Sequence, residues 1–171
     1  MPLVTLVAFM LQRKLGQTLP PAEPIWPAVI FYIAVYVLAA AAEEVGWTGY
    51  ALEPLRQRYG LLGAGLLLGA VWWLWHALPF LMMGHGPALM FWTAVGTVAH
   101  RVLMTLLYDR TNGGVPSAVI YHTMINVTYS LYPVQGSHYD YRIVGVLLVL
   151  LCSLGALLPR QNHVPVRGVP S

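Results

Sequence analysis

The sequence predicts an all-α, polytopic transmembrane bundle of about five spans, and three observations carry that prediction. The chain of 171 residues is 58% hydrophobic and only 9% charged, with a mean hydropathy of +0.65; a water-soluble domain carries about a quarter charged residues. Its apolar stretches fall at 27–42, 61–83, 88–108, 115–133 and 143–159, free of formal charge apart from Arg101 in the third. A helix that crosses a bilayer needs about 20 mostly apolar residues, within a range of roughly 17–25. Finally, clusters of proline, glycine and polar residues separate the stretches, and such tight connections make neighbouring helices pack antiparallel.

Taken in order, "MPLVTLVAFMLQRKLG" places its basic residues after its apolar part and has no small-residue cleavage site. It reads as a helix stump or an interfacial segment rather than a signal peptide. "TLPPAEPIWP" (18–27) is too rich in proline for a helix interior and makes a stiff approach to the first span. That first span is completed only by running on through Glu43, Glu44 and "VGWTGYAL". "EPLRQRYG" (53–60) ends on Gly60 and reads as an interfacial turn, while "MGHGP" (83–87), "DRTNGGVP" (109–116) and "YPVQGSHYD" (132–140) connect the later spans. The expected organisation is an N-terminal interfacial segment (1–26), one transmembrane core (27–159) and a polar C-terminal tail (160–171), with no internal repeat and no second domain.

The net charge of +3 is small, and there is no basic stripe, so nucleic acid is excluded as a partner; the partner that composition demands is the lipid bilayer. With five alternating spans, Arg56, Arg58, Arg110, Arg160 and Arg167 collect on one side, and Arg13, Lys14 and Arg142 on the other. The positive-inside rule favours the first side as cytoplasmic. Cys152, the lone cysteine, makes no internal disulfide and no cysteine-based metal site.

Function is sought among ionisable groups at membrane depth, which are expensive there and by default face the bundle interior. They are Glu43, Glu44, His76, His100, Arg101 and His122. Glu43 and Glu44 either mark the end of the first helix or serve chemistry. The sequence stays apolar as far as Leu52, and adjacent residues point about 100° apart around a helix. One carboxylate can therefore face a cavity while its neighbour takes a supporting hydrogen bond. His76, in "VWWLWHALPF", follows Trp72 by four residues and so shares its face, and Pro79 is expected to bend or end the helix just beyond. His122 and Asn126, in "YHTMINV", are also four apart; the bland reading is interhelical hydrogen bonding, the sharper one a metal or oxyanion site. His100 and Arg101 read as structural, Arg101 snorkelling or pairing with a buried carboxylate. His85, His138 and His163, and the Glu53, Arg56 and Arg58 face, read as solvated. Read jointly, a carboxylate, two imidazoles and an amide on three spans are what water-activating hydrolysis requires.

"EEVGWTGYALEPLR", "VWWLWH" and "YHTMIN" resemble, in this order, the three motifs of the type II CAAX prenyl endopeptidase family, the CPBP intramembrane proteases. Those motifs are a double glutamate followed four residues later by arginine, a phenylalanine four before a histidine, and a histidine four before asparagine or aspartate. Here Thr48 stands in the place of the arginine and Trp72 in that of the phenylalanine. The resemblance implies an intramembrane endopeptidase acting on hydrophobic or lipidated peptides, with Glu43, Glu44, His76, His122 and Asn126 as site residues and Trp72 and Thr48 in support. It implies that Glu43 and His76 activate water while His122 and Asn126 stabilise the oxyanion. An older reading makes Glu43, His76 and His122 zinc ligands; zinc and no tightly held metal stand side by side at this point. It also implies a larger bundle, so spans ahead of the first motif are expected to be missing, and a bacterial cell membrane as the location. Two other classes remain open: an inactive relative serving in bacteriocin immunity or as a membrane scaffold, and a small ion or metal transporter, although such transporters show internal repeats. His76 falls late in its span and His122 early in the fourth, so their meeting is expected to need interrupted helices near "MGHGP" or "TNGGVP".

Overall fold

The computed structural model describes residues 1–22 and 25–158; the predicted tail 160–171, with His163, lies outside them. Six α-helices follow one another: α1 (Pro2–Lys14), α2 (Trp26–Glu44), α3 (Leu52–Met82), α4 (Pro87–Arg110), α5 (Val115–Leu131) and α6 (Tyr141–Leu157), with a π-helical segment, Val45–Ala51, joining α2 to α3. Among the described residues there is no β-strand, only an isolated bridge between Val134 and Ser137. The predicted spans are all helical, and the N-terminal segment is a helix too. Proline stands within the first two positions of α1, α2, α4 and α5, where its missing N–H has no intrahelical partner to lose. Asp140 caps α6, its carboxylate accepting from the amides of Arg142 (2.9 Å) and Ile143 (3.2 Å).

The outer surface is that of a protein in lipid. Two helical stretches, Trp26–Met82 and Pro87–Arg110, are long and apolar enough to cross a membrane, and Tyr141–Leu157 is a shorter apolar helix. Large apolar side chains such as Ile30, Leu38, Leu74, Trp75, Leu78 and Leu154 point outward, a pattern that water would penalise and acyl chains accept. α4 is central: it packs against α3, α5 and α6 and buries Ala99, His100, Arg101, Val102, Met104, Thr105 and Leu106.

The chain reverses inside what reads as one long helical run. Gly60 alone departs from helical geometry within α3, with φ 72° and ψ 174°, a conformation in the region that glycine tolerates and side chains resist. At 1.5 Å per residue, Glu43 lies about 25 Å before this corner and Trp72 about 18 Å after it. The two touch nonetheless, so the run folds back on itself at Gly60. The interruptions that bring the motifs to one level are thus the π-helical segment and Gly60. "MGHGP" and "TNGGVP" are ordinary connections between helices. α3 also runs on through Pro79 to Met82 rather than ending there.

Two glycines let α3 lie close against α4. A Cβ at Gly69 would come within 2.9 Å of Val98 Cα, and one at Gly65 within 3.1 Å of Val102 Cα. Both obstacles are backbone, which cannot swing aside. Gly69→Val should therefore separate the helices and lower stability by about 1–3 kcal/mol, the usual range for overpacking. Gly46→Ala, which meets open space, serves as the control; equal unfolding midpoints for the two variants in detergent would contradict this packing.

Candidate active site

The site is assembled around the indole of Trp72, which is buried. Its Nε1–H donates to Glu43 Oε2 (3.1 Å), and its backbone carbonyl, one turn before His76, is 2.8 Å from His76 Nδ1. A carbonyl can only accept, so His76 donates to it through Nδ1. The ring stands edge-on to His76 (centroids 5.4 Å apart) and to His122 (5.0 Å). The Arg101 guanidinium carbon lies 4.4 Å from its centroid, a cation–π contact. Trp72 thus touches α2, α4 and α5 at once.

The adjacent glutamates live in different surroundings. Glu44 is fully buried at 0% exposure, and four donors surround it. Arg101 grips it with both prongs, Nη1 to Oε2 at 2.8 Å and Nη2 to Oε1 at 3.0 Å. His122 Nδ1 lies 2.9 Å from Oε1, and the Thr48 hydroxyl, one turn on in the π-helical segment, donates to Oε2. Glu43 is half-buried and receives a hydrogen bond from Trp72. The helical offset expected of neighbouring residues does give them separate partners.

A cavity of about 190 Å³ opens beside this cluster. Its polar wall carries His76, His100, Asn126, Thr93 and Thr97, and its apolar wall Phe80, Ile125, Tyr129, Tyr139 and Tyr141, with Trp72 at the boundary. His76 and Asn126 therefore face the cavity, whereas Glu43 and His122 adjoin it through Trp72. Among the described residues, no three His, Cys, Asp or Glu side chains stand together as a set able to hold a metal ion. Glu43 is held by the indole, His76 by a carbonyl and His122 by Glu44, so these three do not form a zinc site as placed.

Several residues have a larger part than sequence reasoning gave them. Arg101 takes the second of its two expected outcomes: it is 1% exposed and is the counter-ion of the buried Glu44. His100 lines the cavity, its Nδ1 3.2 Å from the Tyr121 hydroxyl. His85 is not simply solvated. It stacks on Phe80 (5.2 Å, 11°) and meets Tyr141 edge-on, backing two cavity walls. Arg56, read as part of a solvated face, bridges Glu53 and Asp109 at 2.9 Å each and so ties the start of α3 to the end of α4. The signal that was present in the sequence was Arg101 itself, the lone formal charge within an apolar span.

A helical membrane protein with a buried carboxylate–histidine–arginine centre beside a polar cavity is the class that fold and site define. The profile described as Type II CAAX prenyl endopeptidase Rce1-like matches residues 24–128, well over half of the chain and all of the residues above from Glu43 to Asn126. The chain belongs to that family. It is 28% identical over 131 residues to the CAAX prenyl protease 2 of Methanococcus maripaludis, an alignment covering 69% of this chain and 46% of that relative. The chain therefore spans less than half the length of the curated relative it matches. No solved structure matches it.

The geometry sets an order of stability effects. Glu44→Ala leaves the Arg101 guanidinium buried without its partner, a loss of about 3–5 kcal/mol for a broken buried pair. Glu43→Ala removes one half-exposed hydrogen bond and should shift the detergent unfolding midpoint much less. Equal shifts would mean that the Arg101–Glu44 pair is not formed.

Proposed function

We propose that the protein is an intramembrane endopeptidase of the CAAX-protease type, hydrolysing a peptide bond in a hydrophobic or lipidated peptide with water activated by Glu43 and His76. The observation that carries this reading is the unequal treatment of the two carboxylates. Glu44 has every lone-pair direction engaged by Arg101, His122 and Thr48 and has nothing left with which to take a proton. Glu43 accepts one hydrogen bond, through Oε2, and keeps Oε1 for a water. His76, with Nδ1 tied to the Trp72 carbonyl, offers Nε2 to the same water from the next face of the indole.

In this reading Glu43 takes the proton of the attacking water as general base. The proton then passes to the leaving amine while the C–N bond breaks. The developing oxyanion needs donors. Asn126 supplies its amide N–H from the cavity wall, and His122, held by the Glu44 carboxylate at 2.9 Å, is the second donor. A carboxylate behind an imidazole fixes the ring's orientation, as in serine hydrolases. The aromatic walls Phe80, Tyr129, Tyr139 and Tyr141 hold an apolar stretch of peptide and keep bulk water out. Family membership and the similarity to a CAAX prenyl protease support the same reaction class. The scattered engagement of Glu43, His76 and His122 supports a mechanism without zinc.

Purified protein in detergent, given a hydrophobic or lipidated peptide, should hydrolyse it. Glu43→Gln, His76→Ala and His122→Ala should each lower kcat by about 10²–10⁴-fold, the scale of a lost general base or acid. Asn126→Ala should lose about 10²–10³-fold, the worth of one oxyanion donor. A zinc chelator should leave the rate unchanged. Hydrolysis by Glu43→Gln at the wild-type rate would end the protease reading, and activity lost to chelator and regained with zinc would replace the metal-free mechanism.

A further inference from the structure

We propose that Arg101 is the positioning residue of this site: a guanidinium delivered from α4 whose two-pronged hold on Glu44 sets the orientation of His122 and so of the oxyanion donor. The proposal deepens the hydrolytic reading and rests on it for the rate effects, though not for the hydrogen-bond readout given below.

The first argument is energetic. A guanidinium that is 1% exposed in an apolar span is expensive, and apolar side chains of similar volume often replace a buried ion pair with no loss, or with a gain, in stability. Packing alone therefore does not account for it. Two geometric points say what it does. Each Nη atom donates to one carboxylate oxygen of Glu44, Nη1 to Oε2 at 2.8 Å and Nη2 to Oε1 at 3.0 Å, a parallel fork that fixes the plane of the carboxylate as well as its charge. Glu44 Oε1, so fixed, is the atom that meets His122 Nδ1 at 2.9 Å. The same guanidinium lies 4.4 Å from the Trp72 ring centroid, and Trp72 holds Glu43 and His76. One side chain thus braces the supports of both halves of the site.

The last argument concerns position 48. Thr48 occupies the place where the first motif of the resembling family carries an arginine, and it retains a hydroxyl that donates to Glu44. Arg101 Nη1 lies 3.5 Å from that hydroxyl. The cation absent from the first motif therefore stands in the same neighbourhood, contributed by another helix. A hydroxyl from the π-helical segment and a guanidinium from α4 thus converge on the same carboxylate.

The test uses the whole chain in detergent with ¹⁵N-labelled histidine and three variants: Arg101→Gln, Arg101→Lys, and the double variant Thr48→Arg with Arg101→Gln. In the wild type, the His122 Nδ1 proton held against a carboxylate should give a downfield resonance, assigned by its loss in His122→Ala. Arg101→Gln should lose that resonance and lower kcat by at least about 10²-fold with KM changed less than about threefold, as expected when a group acts in the transition state rather than on binding. Arg101→Lys, a point charge that meets one oxygen at a time, should fall between. The double variant should recover the resonance and at least about tenfold of the lost kcat, a guanidinium now standing at position 48, one helical turn from Glu44. Wild-type resonance and kcat in Arg101→Gln would overturn the proposal. So would a loss that the double variant recovers in neither readout, which would leave Arg101 a packing role. Should Arg101→Gln fail to fold, Arg101→Lys decides: wild-type values for both readouts would overturn the two-pronged hold. Should the wild type hydrolyse no peptide, the hydrolytic reading falls and the resonance alone judges Arg101.

Discussion

The ion pair between Arg101 and Glu44 is the constraint on which the rest of the interior depends. Neither charge has water to fall back on: Glu44 is fully buried and Arg101 nearly so. In such a place an unpaired ion is costly by several kcal/mol even after relaxation, and the pair must be made with good geometry or not at all. The fork geometry meets that condition. Because its two partners lie on α2 and α4, and His122 joins from α5, the position of each helix is set by the same few polar atoms. Helix packing in lipid has little hydrophobic drive of its own, since acyl chains are as apolar as leucine; a buried polar centre of this kind supplies the specificity that apolar faces lack.

The backbone is arranged to make that centre reachable. The π-helical segment begins immediately after Glu44 and carries Thr48 back onto it. Such segments are rare and occur most often at functional sites. The corner at Gly60 then returns the chain along itself, so that Trp72 meets Glu43 across 29 residues of nearly continuous helix. One turn before Trp72, Gly69 allows α3 to approach Val98 of α4, and one turn after Val98 stands Arg101. Close helix approach and the cation–π contact are thus consequences of the same small-residue face. Arg56, between Glu53 and Asp109, holds the far end of the same helix pair.

Much of this was legible in the sequence, for physical reasons that are easy to name. Span lengths follow from bilayer thickness, and the breakers at "TLPPAEPIWP", "MGHGP" and "DRTNGGVP" follow from backbone chemistry, so the helices fall close to where composition places them. The i,i+4 spacing of Trp72 with His76, and of His122 with Asn126, reported shared faces without any tertiary information. What the sequence could not report was which partner each charge would choose. Arg101 had two outcomes open, the interface or a buried carboxylate, and the choice depends on helix rotation, which apolar faces all round do not encode. The π-helical segment is equally hidden. "VGWTGYA" carries two glycines and no other sign that the hydrogen-bond register widens there, and Gly60 looked like the end of an interfacial turn rather than the corner of a hairpin. His85 was misjudged because a histidine in a short connection is normally wet, whereas here Phe80 and Tyr141 close around it.

The replacement of phenylalanine by Trp72 acquires a physical meaning in this setting. A phenyl ring could supply the edge-on walls beside His76 and His122 and a face for Arg101, but it has no hydrogen-bond donor. The indole adds one, and Glu43 Oε2 receives it. That single N–H turns the Glu43 carboxylate in a defined direction through one oxygen, and it does so without introducing a second positive charge near the group that accepts a proton in the proposed mechanism. A cation in that position would stabilise the carboxylate and weaken it as a base. Trp72 and Arg101 are therefore complementary. In the proposed mechanism the neutral donor orients the glutamate that acts as base, and the charged donor saturates the glutamate that holds His122. Positions 48 and 72, where the sequence departs from the motif it resembles, both contact the same guanidinium.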